Sequence, residues 1–284
     1  MIPRISLKPS VDNYAVMGNP IAHSKSPLIH QAFAEQLGQA IYYQAILVEP
    51  DGFEAALAEF QALGGKGLNI TVPFKEDAWR AVDVLSPAAE KAGAVNTIWF
   101  ENDQRCGENT DGIGLVNDLS HHEIDIGEKK VLLLGAGGAV RGILGPVLER
   151  RPAAVLIANR TPARAEALVR IFPEYPHLDF SDFSGLAGRD GFDIVINGTS
   201  AGLTGDLPAL PENILLKDGC AYDLVYGDKD TPFVAWAKQR GARLVLDGLG
   251  MLVEQAAESF TLWRGVRPET RPVIEMLRGM AGGQ

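Results

Sequence analysis

Two kinds of residue pattern in this chain could carry chemistry. One is a glycine-rich turn able to hold phosphate. The other is a set of short clusters of hydroxyl, amide, lysine and carboxylate groups. The turn lies in the run from Lys130 to Val140, Lys-Val-Leu-Leu-Leu-Gly-Ala-Gly-Gly-Ala-Val. Val131 to Leu134 has the length and apolarity of a buried strand, and a helical pattern follows from about Ala139 to Arg151. Gly135, Gly137 and Gly138 at that junction let the backbone approach a pyrophosphate, which would face the free N–H groups and positive end of the helix. Gly142 stands where a third fingerprint glycine lets helix pack on strand. A glycine pattern alone also fits a tight structural turn. The strand before it and the helix after it argue for a dinucleotide.

The end of the next strand separates NAD from NADP. A carboxylate there would bond the ribose 2′-hydroxyl and repel a 2′-phosphate. Here the strand Val155 to Ala158 runs into Asn159, Arg160 and Thr161, with Arg164 just beyond. No carboxylate stands there, and two guanidiniums suit a phosphate. The cofactor expected is therefore NADP. Thr161 suits the cap of the following helix.

The clusters lie mostly in the first half. Ser24 and Ser26 flank Lys25 just before Pro27, at the start of a helix expected to reach about Leu37. Two hydroxyls beside a helix N-terminus suit a small carboxylate, although capping alone accounts for Ser26. Leu68 to Val72 alternates apolar and polar residues, so Asn69 and Thr71 share a face. Lys75 follows at a strand-to-helix junction, where α/β sheets display reactive groups, though position alone favours a solvated surface lysine. Asp111, after Glu108, Asn109 and Thr110, fits a ligand-facing edge and equally well a cap for the helix from Ile113.

These groups must be held by alternating strands and helices. In the first part the strands are Tyr14 to Met17, Ile41 to Val48 and Leu68 to Val72, with a hairpin over Asn96–Phe100 and Arg105–Gly107. From Glu128 the alternation becomes regular, with strands at Val131–Leu134, Ala154–Ala158, Asp193–Asn197, Gly219–Leu224 and Arg243–Leu246. The helices between them cover about Ala139–Arg151, Pro162–Phe172 and Thr231–Arg240. That is the pattern of a parallel, doubly wound sheet. The fold class expected is α/β with two α/β domains, the second of Rossmann type. Helical patterns at Met251–Arg264 and Thr270–Met280 close the chain.

Composition narrows the function. The 284 residues include 26 Lys and Arg against 36 Asp and Glu, a net charge of −10. A nucleic-acid partner would want a basic face, so none is expected. No run of about 18 apolar residues suggests a membrane span, and Met1 to Asn13 lacks the apolar centre of a signal peptide. Cys106 and Cys220 have no metal or redox spacing and read as reduced, small hydrophobic residues of a cytoplasmic protein.

Taken together, the chain resembles the shikimate dehydrogenase family over almost its whole length. The matching segments are Gly18–Pro27, Asn69–Lys75, Gly93–Thr97, Asn109–Gly112, Gly135–Ala139, Asn159–Thr161 and Asp247–Met251. The resemblance implies reversible, NADPH-dependent reduction of 3-dehydroshikimate to shikimate, on the route to chorismate and the aromatic amino acids. It implies that Lys75 is the acid/base at the C3 oxygen, with Asp111 beside it. Ser24 and Ser26 would bind the substrate carboxylate; Thr71, Asn96, Asp111 and Gln255 would bind ring hydroxyls, with Tyr226 near the substrate. Gly135, Ala136, Gly137, Gly138, Ala139, Asn159, Arg160, Thr161, Arg164, Leu224 and Gly248 would line the cofactor. It further implies a substrate domain of residues 1–111 with 250–284, an NADP domain of residues 112–249, the substrate between them, and a monomer or homodimer. Val140 departs from the pattern, since the family often has a small or hydroxylated residue there, and Leu224 stands where methionine is common. Three other readings compete: a quinate/shikimate dehydrogenase that also takes NAD, a catalytically silent NADP-binding regulator, and an NADP reductase of an unrelated carbonyl.

Overall fold

A computed structural model of the chain describes residues 5–199, 207–227 and 229–281. It divides into two compact units. One comprises Met1–Gly114 and Val253–Met280, and the other Leu115–Leu252 and Ala281–Gln284. No helix among the described residues is long and apolar enough to cross a membrane.

The first unit is built on a six-stranded mixed sheet. Its strands are β1 (Asp12–Gly18), β2 (Ile41–Leu47), β3 (Gly67–Ile70), β4 (Val84–Leu85), β5 (Thr97–Glu101) and β6 (Gln104–Glu108), in the order β2-β1-β3-β5-β6-β4. β1 lies parallel to both β2 and β3, while β5 runs antiparallel to β3 and β6. A parallel strand is covered on both faces, and β1 is accordingly buried from Asn13 to Gly18. The hairpin between β5 and β6 turns at Asn102 and Asp103, both at positive φ (50° and 62°), as a tight two-residue loop requires. α1 (Ser26–Leu37), α2 (Phe53–Ala62), α3 (Lys75–Ala81) and α4 (Pro87–Ala92) connect the strands. Phe53, Leu57, Phe60, Ile70, Phe74 and Ile98 make one core. Tyr14, Val16, Ile21 and Tyr43 make another, against Trp263. Gly67 opens β3 because the Trp263 indole lies over it: a Cβ there would come within 2.5 Å of Nε1.

The second unit holds β7 (Lys130–Leu134), β8 (Ala154–Ala158), β9 (Leu178–Ser181), β10 (Phe192–Asn197), β11 (Leu215–Asp223) and β12 (Leu244–Leu246). All are parallel, in the order β12-β11-β10-β7-β8-β9. The chain turns outward in opposite directions from β7 and β10, so the topological switch point lies between them. Successive side chains of a strand face opposite ways, and two cores result. Val131, Leu133, Val155, Ile157, Ile194, Ile196 and Tyr222 enter one. Leu132, Leu134, Leu156, Ala158, Val195 and Ala221 enter the other. This double burial is why the strands read as unbroken apolar runs. The connecting helices are α6 (Gly138–Glu149), α7 (Pro162–Val169) and α8 (Pro232–Gln239). α5 (Asp111–His121) and α9 (Leu249–Arg264) each pass from one unit to the other, and α10 (Arg271–Ala281) ends the chain.

Two short strands have no counterpart in the sequence reading. β4 has two residues and β9 four. β4 is too short to show a period, and β9, Leu-Asp-Phe-Ser at the sheet edge, lacks the unbroken apolar run of the central strands.

Candidate active site

In the first unit, two loops are held against each other. Gly18 ends β1, and Asn19 N–H donates to the Val72 carbonyl at 3.0 Å. A Cβ on Gly18 would meet the Thr71 methyl at 2.4 Å, so this close approach needs glycine. Thr71 N–H in turn donates to the Met17 carbonyl at 3.0 Å. The loop carrying Ser24 and Ser26 is thereby fixed beside the one carrying Thr71 and Lys75.

Lys75 is the first residue of α3, and its carbonyl accepts from Val95 N–H at 2.9 Å. Its Nζ is paired with Asp111 Oδ2 at 2.5 Å, with side-chain exposures of 27% and 9%. The lysine is therefore not a freely solvated surface group. Asp111 opens α5, but its carboxylate is turned to Lys75 and to Asn96, whose Nδ2 donates to Oδ1 at 2.9 Å. The orientation of the Asn96 amide follows from its other bonds. Its Oδ1 accepts from Thr110 N–H at 2.9 Å, which an amide nitrogen could not do, so Nδ2 must face Asp111. Gln255 Oε1, from α9, accepts from Asn96 Nδ2 and Thr110 Oγ1 at 3.4 Å each. Asn109 Oδ1 accepts from Asp111 N–H at 3.1 Å and its Nδ2 donates to the Ala94 carbonyl. Buried Asn96, Asn109 and Thr110 thus hold the carboxylate in one place.

Ser26 differs from its expected role as a helix cap. The cap position belongs to Lys25, no side chain caps the helix, and Ser24 Oγ accepts from Ser26 N–H at 3.3 Å. Ser26 itself is buried beside Tyr43. Burial drives the Tyr43 phenol well above its usual value, with the neighbouring Ser26 hydroxyl opposing. Tyr43 O–H donates to Asn69 Oδ1 at 2.8 Å, and His30 Nε2 does so at 3.1 Å. Asn69 Nδ2 donates onward to the Asn96 carbonyl, Thr97 Oγ1 and Ser259 Oγ. Thr97 closes the chain by donating to Asn96 Oδ1 at 2.9 Å. Buried polar groups thus run without a gap from Tyr43 to Asp111, which holds Lys75. His30, Tyr43, Asn69, Thr97, Thr110 and Ser259 were not singled out from sequence as site residues. The readable signals were the shared face of Asn69 and Thr71 and the one-turn spacing of Gln255 and Ser259.

In the second unit, the glycine turn lies at the carboxyl end of β7. Gly135 adopts φ +102°, a conformation that side chains rarely take. Ala136 is half-buried, and Gly137, Gly138 and Ala139 are exposed. A Cβ on Gly137 or Gly138 would meet nothing within 4 Å, and the cap residue of α6, Gly137, offers no side chain to the helix end. An open cradle with helix N–H groups beside it fits a pyrophosphate. Gly142 is buried within α6. At the end of β8, Arg160 and Arg164 are exposed, and neither is engaged by a carboxylate among the described residues. Thr161 occupies the cap position of α7 without capping it through its side chain. Its carbonyl instead accepts from Asn159 Nδ2 at 2.8 Å. Leu224 and Gly248 follow β11 and β12, and a Cβ on Gly248 would lie 2.3 Å from the Leu224 carbonyl oxygen. Tyr226 is half-buried, and burial raises its phenol.

Three family models match: the shikimate dehydrogenase substrate binding domain over residues 16–98, shikimate / quinate 5-dehydrogenase over 118–204, and the shikimate 5'-dehydrogenase C-terminal domain over 248–278. A shikimate dehydrogenase (NADP(+)) of Alkalilimnicola ehrlichii is 59% identical over 268 residues, covering 94% of this chain and 98% of that one. The chain belongs to the shikimate dehydrogenase family. Solved structures agree in fold. The Ael1 enzyme from Pseudomonas putida superposes with a TM-score of 0.89 at 48% identity, over 94% of this chain and 98% of that one. The Thermus thermophilus shikimate 5-dehydrogenase, solved with NADP(H) and shikimate, does so with a TM-score of 0.85 at 33% identity, over 95% of this chain and 100% of that one.

Proposed function

We propose that this chain is an NADP-dependent oxidoreductase that interconverts 3-dehydroshikimate and shikimate, the step on the way to chorismate and the aromatic amino acids. The family and its curated NADP(+)-named relatives support the activity and the cofactor. The observation that carries the mechanism is the Lys75–Asp111 pair, held by Asn96 at the edge of a polar network.

Bound NADPH supplies the hydride that reduces the C3 ketone. Negative charge then develops on the C3 oxygen. Lys75, positioned by its pairing with Asp111, donates a hydrogen bond to that oxygen and then its proton. In the reverse direction neutral Lys75 takes the proton from the C3 hydroxyl. Asp111, Asn96, Thr71 and Gln255 offer acceptors and donors to the ring hydroxyls, with Tyr226 as a further phenol near the substrate. Such a site penalises ligands lacking the hydroxyls, because its buried polar groups would be left unpaired. Ser24 and Ser26 bind the carboxylate beside the start of α1. Residues 1–111 with 250–284 form the substrate part and 112–249 the NADP part. In the latter, Gly135 to Ala139 hold the pyrophosphate, Leu224 and Gly248 line the nicotinamide end, and Asn159, Arg160, Thr161 and Arg164 hold the 2′-phosphate.

The match to a model described as shikimate / quinate 5-dehydrogenase keeps a second reading open, a dual-specificity enzyme. The test is kcat/KM for NADP against NAD, and for shikimate against quinate. Strong preference for NADP and shikimate supports the proposal. Comparable values would establish the second reading, and no turnover with any pair would leave only a binding protein.

A further inference from the structure

Gly198 follows the last residue of β10, across the switch point from β7, and lies outside the glycine fingerprint. Its N–H donates to the Leu134 carbonyl at 2.8 Å. Gly135 presses on it, since a Cβ there would lie 3.0 Å from the Gly198 carbonyl oxygen. Gly198 is not at positive φ, so its backbone does not demand glycine. The space around it does. A Cβ on Gly198 would come within 2.5 Å of Val140 Cγ2 and 3.2 Å of Leu224 Cδ1.

Val140 cannot step aside. It is fully buried, packed in the core beneath α6, and a β-branched side chain in a helix has one strongly preferred χ1. It also stands in the first turn of α6, directly after the turn Gly135–Ala139. A side chain at 198 can therefore be admitted only by pushing that turn away from β10, or by displacing Leu224. Ligands of open α/β sheets bind outside the carboxyl ends of the strands at the switch point. The same contact thus fixes the surface that would receive the dinucleotide.

We propose that Gly198 is a positioning residue for NADP, a further glycine of the phosphate cradle whose necessity is created by the bulk of Val140. The inference rests on the NADP-dependent reading above. It makes positions 140 and 198 a size-coupled pair: a larger residue at one is tolerated only with a smaller one at the other.

The test is NADPH binding by fluorescence titration, with kinetics, for the full chain and for Gly198→Ala, Val140→Ala and the double variant. Overpacking of this kind predicts that Gly198→Ala binds NADPH about tenfold more weakly or worse. The shikimate KM at saturating NADP should stay within about twofold, and the double variant should bind as tightly as Val140→Ala alone. A purely structural role would lower the unfolding temperature and leave the affinity of the folded protein unchanged. Gly198→Ala binding like the unsubstituted chain, or a double variant weaker than Val140→Ala by about tenfold, would overturn the proposal. If Gly198→Ala does not fold, the comparison of the double variant with Val140→Ala decides alone. An unsubstituted chain that fails to bind NADPH would bring down the functional reading, and this inference with it.

Discussion

At the scale of single residues, the site is an exercise in fixing one carboxylate and one ammonium. Asp111 has no freedom left: one oxygen meets Lys75, the other meets Asn96, and its own N–H is taken by Asn109. Asn96 carries the most of this arrangement, because it joins Asp111, Thr110 and Gln255 through a single amide. Asn96→Ala should leave Thr110 N–H and Asp111 Oδ1 without buried partners. The cost expected is about 1–3 kcal/mol of unfolding free energy, with kcat lowered roughly tenfold as Lys75 loses its fixed partner. Chemical denaturation and steady-state kinetics on one preparation check both. Loss of stability with kcat untouched would reduce Asn96 to a structural role.

At the scale of elements, the question is which junctions deliver chemistry. The glycine turn after β7 and the arginines after β8 sit at adjacent strand ends of one parallel sheet. A charge-assisted bond to phosphate is worth about 1.5–3 kcal/mol. Arg160→Gln combined with Arg164→Gln should therefore raise the KM for NADP by about 10- to 100-fold while leaving that for NAD nearly unchanged. Equal losses for both cofactors would place the 2′-phosphate elsewhere. The doubly wound half was legible in the sequence because every central strand is buried on both faces. Its apolar runs at Val131–Leu134 and Ala154–Ala158 and its glycine punctuation therefore survive as local signals. β9 escaped notice because Leu178–Ser181 is an edge strand, half exposed and without that apolar run. The hydroxyl–amide network escaped for another reason: Asn69 meets Ser259 across 190 residues of chain, and no local pattern encodes that meeting. The roles of Ser26 and Thr161 at helix starts were misjudged because cap preference describes a position, whereas tertiary partners decide which atom uses it.

At the scale of the whole molecule, burial of polar groups sets the pH response. His30 lies fully buried between Tyr43, Phe33, Phe260 and Trp263, and desolvation takes its pKa down to about 3 against its bond to Asn69. An unfolded histidine takes a proton near pH 6.5. Below that pH the unfolded chain binds a proton that the folded chain refuses, so stability falls as pH drops. The slope from this one group approaches about 1.4 kcal/mol per pH unit until the folded pKa is reached. Unfolding midpoints measured from about pH 7 to pH 5 should therefore fall more steeply for the unsubstituted chain than for His30→Asn. Parallel slopes would mean that other groups govern the acid response.

On the proposed reading Lys75 moves the proton while the second unit binds NADP. The most direct measurement follows NADP reduction by shikimate in the unsubstituted chain and in Lys75→Ala, with NADPH affinity determined on the same samples. The account predicts turnover in the former and, in the latter, a kcat lower by about 10²- to 10⁴-fold with NADPH affinity unchanged. Near-normal turnover by Lys75→Ala would contradict it.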